Sequence, residues 1–216
     1  MTDLTGAHAP RPDPLVGARV RLERLSPDHA AALFAAAQGD PMLWHYLPYG
    51  PFADAAEYAR WIASDASADD PVFYAIVGQE PLGVASYLRI FPEHGSIEIG
   101  NIWFGPALQR TPAATEAIYL MAREAFDGLG NRRLEWKCDA DNARSRRAAE
   151  RFGFTFEGVF RQHMIVKGRN RDTAWYAILD GEWPRARAAF EAWLAPENFD
   201  GEGAQRRGLA AIRAAL

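Results

Sequence analysis

SIEIGNIWF (Ser96–Phe104), running directly into GPALQRTPAATEAIYLMA (Gly105–Ala122), changes its apolar period part-way along and so marks a strand followed by a helix. In the first part Ile97 and Ile99 alternate with Glu98, the period-two pattern of a half-buried strand. After Gly105-Pro106 the period lengthens to about four, with Ile118, Met121, Ala122 and Ala125 forming the apolar stripe of a helix that stops near Gly128-Leu129-Gly130. A strand thus hands over to a helix through Gln109-Arg110-Thr111-Pro112-Ala113-Ala114-Thr115. The first turn of any helix carries free N–H groups and a partial positive charge, and small residues there let an anion approach the backbone. Arg110 adds a full charge; Thr111 and Thr115 add hydroxyls. Taken alone the junction is also explained conformationally, since proline is at home in the first helical position.

Upstream, Val72–Val77 and Leu82–Leu88 read as strands, joined to each other and to Ser96–Phe104 by the short turns 78–81 and 92–95 of an antiparallel meander. Ala18–Leu25 is a further strand. Ser26-Pro27-Asp28 and Asp54 with Glu57 are helix starts, one leading to Leu33 and Phe34, the other to Tyr58, Trp61 and Ile62. Between them lies an aromatic loop holding Trp44, Tyr46, Tyr49 and Phe52, which either lines a substrate mouth or covers a core. Downstream come a strand over 133–138, a helix over 143–152 and strands over 154–160, 163–167 and 173–179. The order predicts an α/β (α+β) fold, a mixed, mostly antiparallel central sheet flanked by helices. One domain over 15–183 follows a flexible segment 1–14 and precedes a helical extension 184–216. That extension carries Phe190, Trp193 and Leu194, and reads as a docking helix with a fraying basic tail or as the contact of a homodimer.

The 216 residues, 49% hydrophobic and 24% charged, suffice for one buried core. A net charge of −4 offers no general attraction to nucleic acid or anionic membrane, so neither is expected as a partner. The single cysteine, Cys138, excludes an intrachain disulfide framework and, in a strand setting without a neighbouring histidine, suits an inert buried thiol rather than a nucleophile. His8, His29, His45, His94 and His163 lack metal-ligand spacing, so no metal is expected. With no apolar signal core and no segment near the ~20 apolar residues of a membrane helix, the expected location is the cytoplasm.

A second helix start gives the first its meaning. Asp141-Asn142 closes the strand at 133–138, Asn142 is placed to cap the next helix, and Ser145 stands at its third position among Arg144, Arg146 and Arg147. Two helix starts then face one edge of a sheet.

The run Gln109–Ala114 resembles the Gln/Arg-x-x-Gly-x-Gly/Ala coenzyme A loop of the GNAT superfamily of N-acetyltransferases. NARSRRAAERFGF (Asn142–Phe154) closely resembles the segment that follows it in the branch related to the ribosomal-protein N-terminal acetyltransferases, and Lys167–Thr173 and Ile178–Trp183 resemble that branch's closing hairpin. The resemblance covers about Val16 to Trp183. Pro112 departs from it: it replaces a glycine and donates no N–H, which shifts the expected phosphate contacts toward Arg110, Thr111, Thr115 and the amides of Ala113 and Ala114.

What the resemblance implies is acetyl transfer from acetyl-CoA to a primary amine by direct attack, without a covalent intermediate or a metal. A lysine-like amine of pKa ~10.4 is neutral in about one molecule in two thousand at pH 7, an α-amine near ~8 in roughly one in ten, so a base helps. Glu98 is the candidate base, or else a surface acid. Ser145 is the candidate donor to the leaving thiolate, or an ordinary helix-start serine. Asn142 and Arg147 join Ser145 as coenzyme A contacts, and the backbone of Ile102, Trp103 and Phe104 is expected to hold the pantetheine arm where related proteins splay two strands. Trp136 and Lys137 resemble a pair common in this branch, facing the acceptor or forming a core tryptophan beside an exposed lysine. The acceptor reads first as a small amine, then as a protein N-terminus; a non-catalytic acyl-CoA binding module is the reading from another class.

Overall fold

The computed structural model describes residues 6–216. A single eight-stranded sheet runs through it in the order β1-β2-β3-β4-β5-β6-β8-β7. Strands β1 (Leu15–Val16), β2 (Arg21–Arg24), β3 (Val72–Val77), β4 (Pro81–Phe91) and β5 (Ser96–Phe104) form an antiparallel meander. β6 (Arg133–Asp139) joins β5 in parallel, and β8 (Arg169–Leu179) and β7 (Thr155–Val166) complete the sheet antiparallel. Helices α1 (Ala30–Ala36) and α2 (Ala55–Ser64) cover one face; α3 (Pro112–Arg123), α4 (Ala143–Phe152) and α5 (Trp183–Leu194) cover the other, with α6 (Leu209–Ala214) packed beside α4 and α5. Each face buries its own apolar cluster. Ile97, Ile99, Leu134, Trp136 and Cys138 join Ile118, Met121, Ala149 and Phe152 on one side, while Phe73, Val84 and Trp103 meet Leu33, Tyr58 and Ile62 on the other.

The one parallel pairing is short. β5 and β6 are in register only at Ser96↔Arg133, Ile97↔Leu134 and Glu98↔Glu135, although both strands continue. Beyond Glu98 they diverge and leave a wedge in the sheet. β5 bends there through a bulge: the register to β4 slips between Ser86↔Gly100 and Val84↔Trp103, and Asn101 takes φ +51, a left-handed conformation that asparagine tolerates better than most residues. Asn101 Nδ2 donates to Ser86 Oγ at 3.0 Å and Tyr49 Oη donates to the Asn101 carbonyl at 3.2 Å, which fixes the bend. Glu116, buried within α3, accepts backbone N–H groups of Ala18, Arg19 and Val20 and so ties that helix to the start of the sheet.

Several boundaries differ from the sequence reading. The expected strands 154–160 and 163–167 are one strand, β7, broken by a bulge at Gln162 (φ +51), and β8 begins at Arg169 rather than at 173. Asp172 holds that bulge, its carboxylate accepting from Gln162 N–H at 2.7 Å and from Asn170 Nδ2 at 2.9 Å. The basic tail is not frayed: Leu209 and Ile212 are buried, and Arg213 donates to the carbonyls of Arg151 and Glu150 in the last turn of α4. Of the N-terminal segment, residues 1–5 lie outside the described part; Ala7 and His8 donate to the carbonyls of Pro92 and Leu129.

Candidate active site

Two helix starts flank the wedge. Thr111 caps α3, its Oγ1 accepting from Ala114 N–H at 3.2 Å and donating to the Leu108 carbonyl at 2.7 Å; Asn142 caps α4, its Oδ1 accepting from Ser145 N–H at 3.0 Å. These caps correct the expected phosphate cradle. Both functions of the Thr111 hydroxyl and the Ala114 N–H are consumed internally. Thr115 is buried, its Oγ1 accepting from Arg151 at 3.1 Å between α3 and α4. The Thr111 proton is already given to a carbonyl, and burial keeps the Thr115 hydroxyl from an anion. What remains at the α3 start is Arg110, exposed and in a left-handed turn (φ +62), and the N–H of Ala113, which by its helical position has no partner within the helix. Gln109 likewise turns inward, donating to the Phe104 carbonyl at 2.8 Å. Arg144 and Arg147 supply exposed cations from α4.

A residue missed in the sequence sits across this opening. Asp40 Oδ2 lies 3.5 Å from both Gln109 Nε2 and Arg144 Nη1, and Tyr46 Oη donates to the Asp141 carbonyl at 3.3 Å. The segment after α1 therefore touches both helix starts. The other aromatics of the loop pack inward: Trp44 meets Tyr49, Phe52, Tyr58 and Trp103 edge-on or tilted, and Tyr49 stacks on Trp61 at 4.3 Å. From the far side the β7–β8 turn clasps this loop. Lys167 Nζ donates to the carbonyls of Trp44 (2.9 Å) and Tyr49 (3.0 Å), and Arg169 donates to the ring and carbonyl of His45.

Strand alternation divides the candidate residues between the two faces. Trp136 faces α4, where it packs on Phe152 and Phe154 and donates its indole N–H to Ser145 Oγ at 2.9 Å. This corrects its reading as an acceptor-side residue: it fixes the Ser145 hydroxyl and leaves that hydroxyl's own proton free to donate. Burial raises the pKa of the nearby Cys138 thiol, and Ser145 opposes that rise. Lys137 points the opposite way and is not an exposed lysine. Its Nζ lies 3.1 Å from Glu98 Oε2, also pairs with Glu135, and sits 3.8 Å from the centre of the Trp175 ring.

Glu98 is only 2% exposed, so it is no surface acid. Arg89 Nη1, at 2.7 Å, and Lys137 both contact its Oε2. Burial raises its pKa, and the two cations oppose that rise. Oε1, free of those contacts, lies toward Gly100, where an added Cβ would stand 3.3 Å away. One carboxylate oxygen is anchored while the other faces a residue without a side chain. Glu98, Glu135 and Lys137 lie on the α1/α2 face, Ser145 and Trp136 on the α3/α4 face, and the wedge is the passage between them. Arg89, Glu135, Arg171 and Trp175 were not singled out in the sequence. The only signal for them was positional, since Arg171, Thr173 and Trp175 alternate on β8 opposite the alternation of β6.

Among the described residues no group of acidic, histidine or cysteine side chains is arranged to hold a metal, and no helix is long and apolar enough to cross a membrane.

Residues 19–155 match the family model described as an acetyltransferase (GNAT) domain. The chain is 46% identical to a GCN5-related N-acetyltransferase from Brucella melitensis, with a TM-score of 0.95 over 99% of this chain and 100% of that one. It is 28% identical over 148 residues to the uncharacterized N-acetyltransferase YnaD of Bacillus subtilis, covering 67% of this chain and 84% of that one. At 24% identity and a TM-score of 0.67, over 76% of this chain and 93% of the other, it shares its fold with the microcin C7 self-immunity acetyltransferase MccE, whose structure contains acetyl-CoA and AMP.

Proposed function

We propose that this chain, which belongs to the GNAT family of acetyl-CoA-dependent N-acetyltransferases, acetylates the primary amine of a small molecule. The observation that carries the small-molecule reading is the clasp of the β7–β8 turn on the aromatic loop: Lys167 and Arg169 hold the 44–52 backbone over the acceptor side of the wedge. A peptide N-terminus needs an open groove along which the chain can trail, and the clasp stands across that path.

In the reaction, the thioester carbonyl sits in the wedge, with the pantetheine arm along the Ile102–Phe104 backbone and the diphosphate at Arg110, Ala113 and the α4 start. The amine approaches from the α1/α2 face. Glu98 Oε1 takes its proton, directly or through water, as the nitrogen lone pair attacks the carbonyl carbon. The tetrahedral intermediate collapses, the C–S bond breaks, and the Ser145 hydroxyl, oriented by the Trp136 N–H, gives its proton to the thiolate before recovering one from solvent. The anchored Oε2 fixes the carboxylate so that Oε1 is presented at one place, which is how positioning lowers the barrier. Thiol release from acetyl-CoA, measured over a panel of small amines and N-terminal peptides, tests the reading. Acetylation of small amines is the expected result; turnover confined to the peptides overturns it.

A further inference from the structure

We propose that the acceptor carries an anionic group of its own, a carboxylate or a phosphate, and that Arg171 receives it on the α1/α2 face of the wedge. The proposal rests on the small-amine reading above and narrows its substrate class.

Most of the charge on that face is paired off within the protein. Lys137 is satisfied by Glu98 and Glu135, and Arg89 by Glu98. Asp139 accepts a backbone N–H from Asp141 at 2.9 Å, and Glu135 is also held by Arg133. Arg171 is left over. It is half-buried, its Nε is fully enclosed, and among the described residues that N–H has no hydrogen-bond partner and the guanidinium has no carboxylate within ion-pair distance. Burial lowers its pKa, and Asp139 and Glu98 act on it only through space. An enclosed N–H of a charged group without an acceptor is costly, and native proteins retain such a group mainly where something else completes it.

A second enclosed donor shares its strand. Trp175, four residues along β8, buries its indole N–H without a partner. Thr173 and Trp175 stand opposite Asp139 and Lys137 on β6, so alternation puts Arg171, Thr173 and Trp175 on the side of the sheet to which Lys137 and Glu98 belong. Between the two donors the Thr173 hydroxyl is engaged by His163 Nδ1 at 2.9 Å. The acceptor face therefore offers a carboxylate oxygen able to take a proton from an amine, together with a guanidinium and an indole N–H able to receive an anion. Arginine's rigid fork suits either a carboxylate or a phosphate, and the test below distinguishes the two.

The experiment is equilibrium binding, read by intrinsic tryptophan fluorescence, to protein saturated with coenzyme A. The probes are matched pairs: each of the standard amino acids against its carboxamide, and 2-aminoethyl phosphate against ethanolamine. At least one anionic member should bind tenfold or more tighter than its neutral counterpart, and Arg171→Gln should cut that ratio to below twofold while leaving acetyl-CoA affinity unchanged. Should Arg171→Gln fail to fold, Arg171→Lys, which keeps the charge and loses the fork, should reduce the ratio at least threefold. If wild-type protein discriminates no pair by more than twofold, or the discrimination survives the substitution, the proposal is overturned. Because binding is measured without turnover, anion preference without acetylation would sink the transfer reading alone, and acetylation of neutral amines alone would sink this one.

Discussion

Replacing Glu98 by glutamine probes stability and chemistry together, and their sizes follow from the contacts. The Glu98 and Lys137 side chains are each 3% exposed and 3.1 Å apart. At an effective dielectric of 20 their attraction is about 5 kcal/mol. Arg89 adds less, because at 36% exposure water screens it. Glutamine forfeits these attractions but also removes the desolvation cost of the carboxylate, which is the larger influence on Glu98, and Lys137 keeps its pairing with Glu135. In a domain of this size the melting temperature should therefore change by no more than about 2–4 °C, the equivalent of ~1 kcal/mol. Turnover on a good acceptor, measured well below that melting point, should fall by about 10²–10⁴ in kcat/KM. Lys137→Met separates the effects. It leaves the carboxylate in place but removes the first of the influences that lower its pKa, so that pKa rises further above the ordinary value of 4.5. Since the base works only when ionised, the acid limb of kcat/KM, already shifted upward in wild type, should move to higher pH. The stability linkage has a matching sign. A carboxyl whose folded pKa is raised contributes stability that is full below the unfolded value and is lost as pH rises through the folded one. Glu98→Gln should therefore flatten the pH dependence of stability just above 4.5. A Glu98→Gln protein with wild-type turnover would refute the base.

Arg110→Ala should weaken acetyl-CoA binding roughly tenfold or more by calorimetry, as expected for loss of a hydrogen bond to a charged group of ~1.5–3 kcal/mol. Thr115→Val should change that affinity less than about twofold, since the Thr115 hydroxyl is buried between α3 and α4 against Arg151. Ser145→Ala should lower kcat by about a hundredfold with little effect on acetyl-CoA affinity, and Trp136→Phe, which removes the N–H at 2.9 Å and leaves a cavity where the larger indole packed, should lower kcat less and cost about 2–3 kcal/mol in urea unfolding. Gly83→Ala would place a Cβ 2.6 Å from the Trp103 carbonyl oxygen, pushing on the backbone that flanks the wedge; a loss of ~1–3 kcal/mol in urea unfolding and weaker acetyl-CoA binding are expected.

The sheet and the two helix starts were legible in the sequence because they are local. Alternation around Ile97 and Ile99, the change of period after Gly105, and the caps at Thr111 and Asn142 need only neighbouring residues to be read. Glu98 and Ser145 followed from position and resemblance, but their surroundings did not. Lys137 stood between an acceptor-side and a surface reading because nothing nearby in sequence showed that Glu98 would pair with it across the parallel strands, 39 positions away. The Thr111 and Thr115 hydroxyls looked available because sequence shows the donors present and not the carbonyl or guanidinium that engages them. β7 was divided in two because its bulge at Gln162 is held by Asp172 from the neighbouring strand. Arg171 escaped notice for a related reason: an unpaired charge is recognised only once every partner within reach has been counted.

In the proposed reaction an amine on the Glu98 face attacks an acetyl group held in the wedge, with no acetyl-enzyme between. Initial rates over a grid of acetyl-CoA and acceptor concentrations, with intact mass of the protein incubated with acetyl-CoA alone, decide whether transfer is direct. Intersecting double-reciprocal lines and an unmodified protein are expected. Parallel lines, together with an acetyl group found on Cys138, would contradict it.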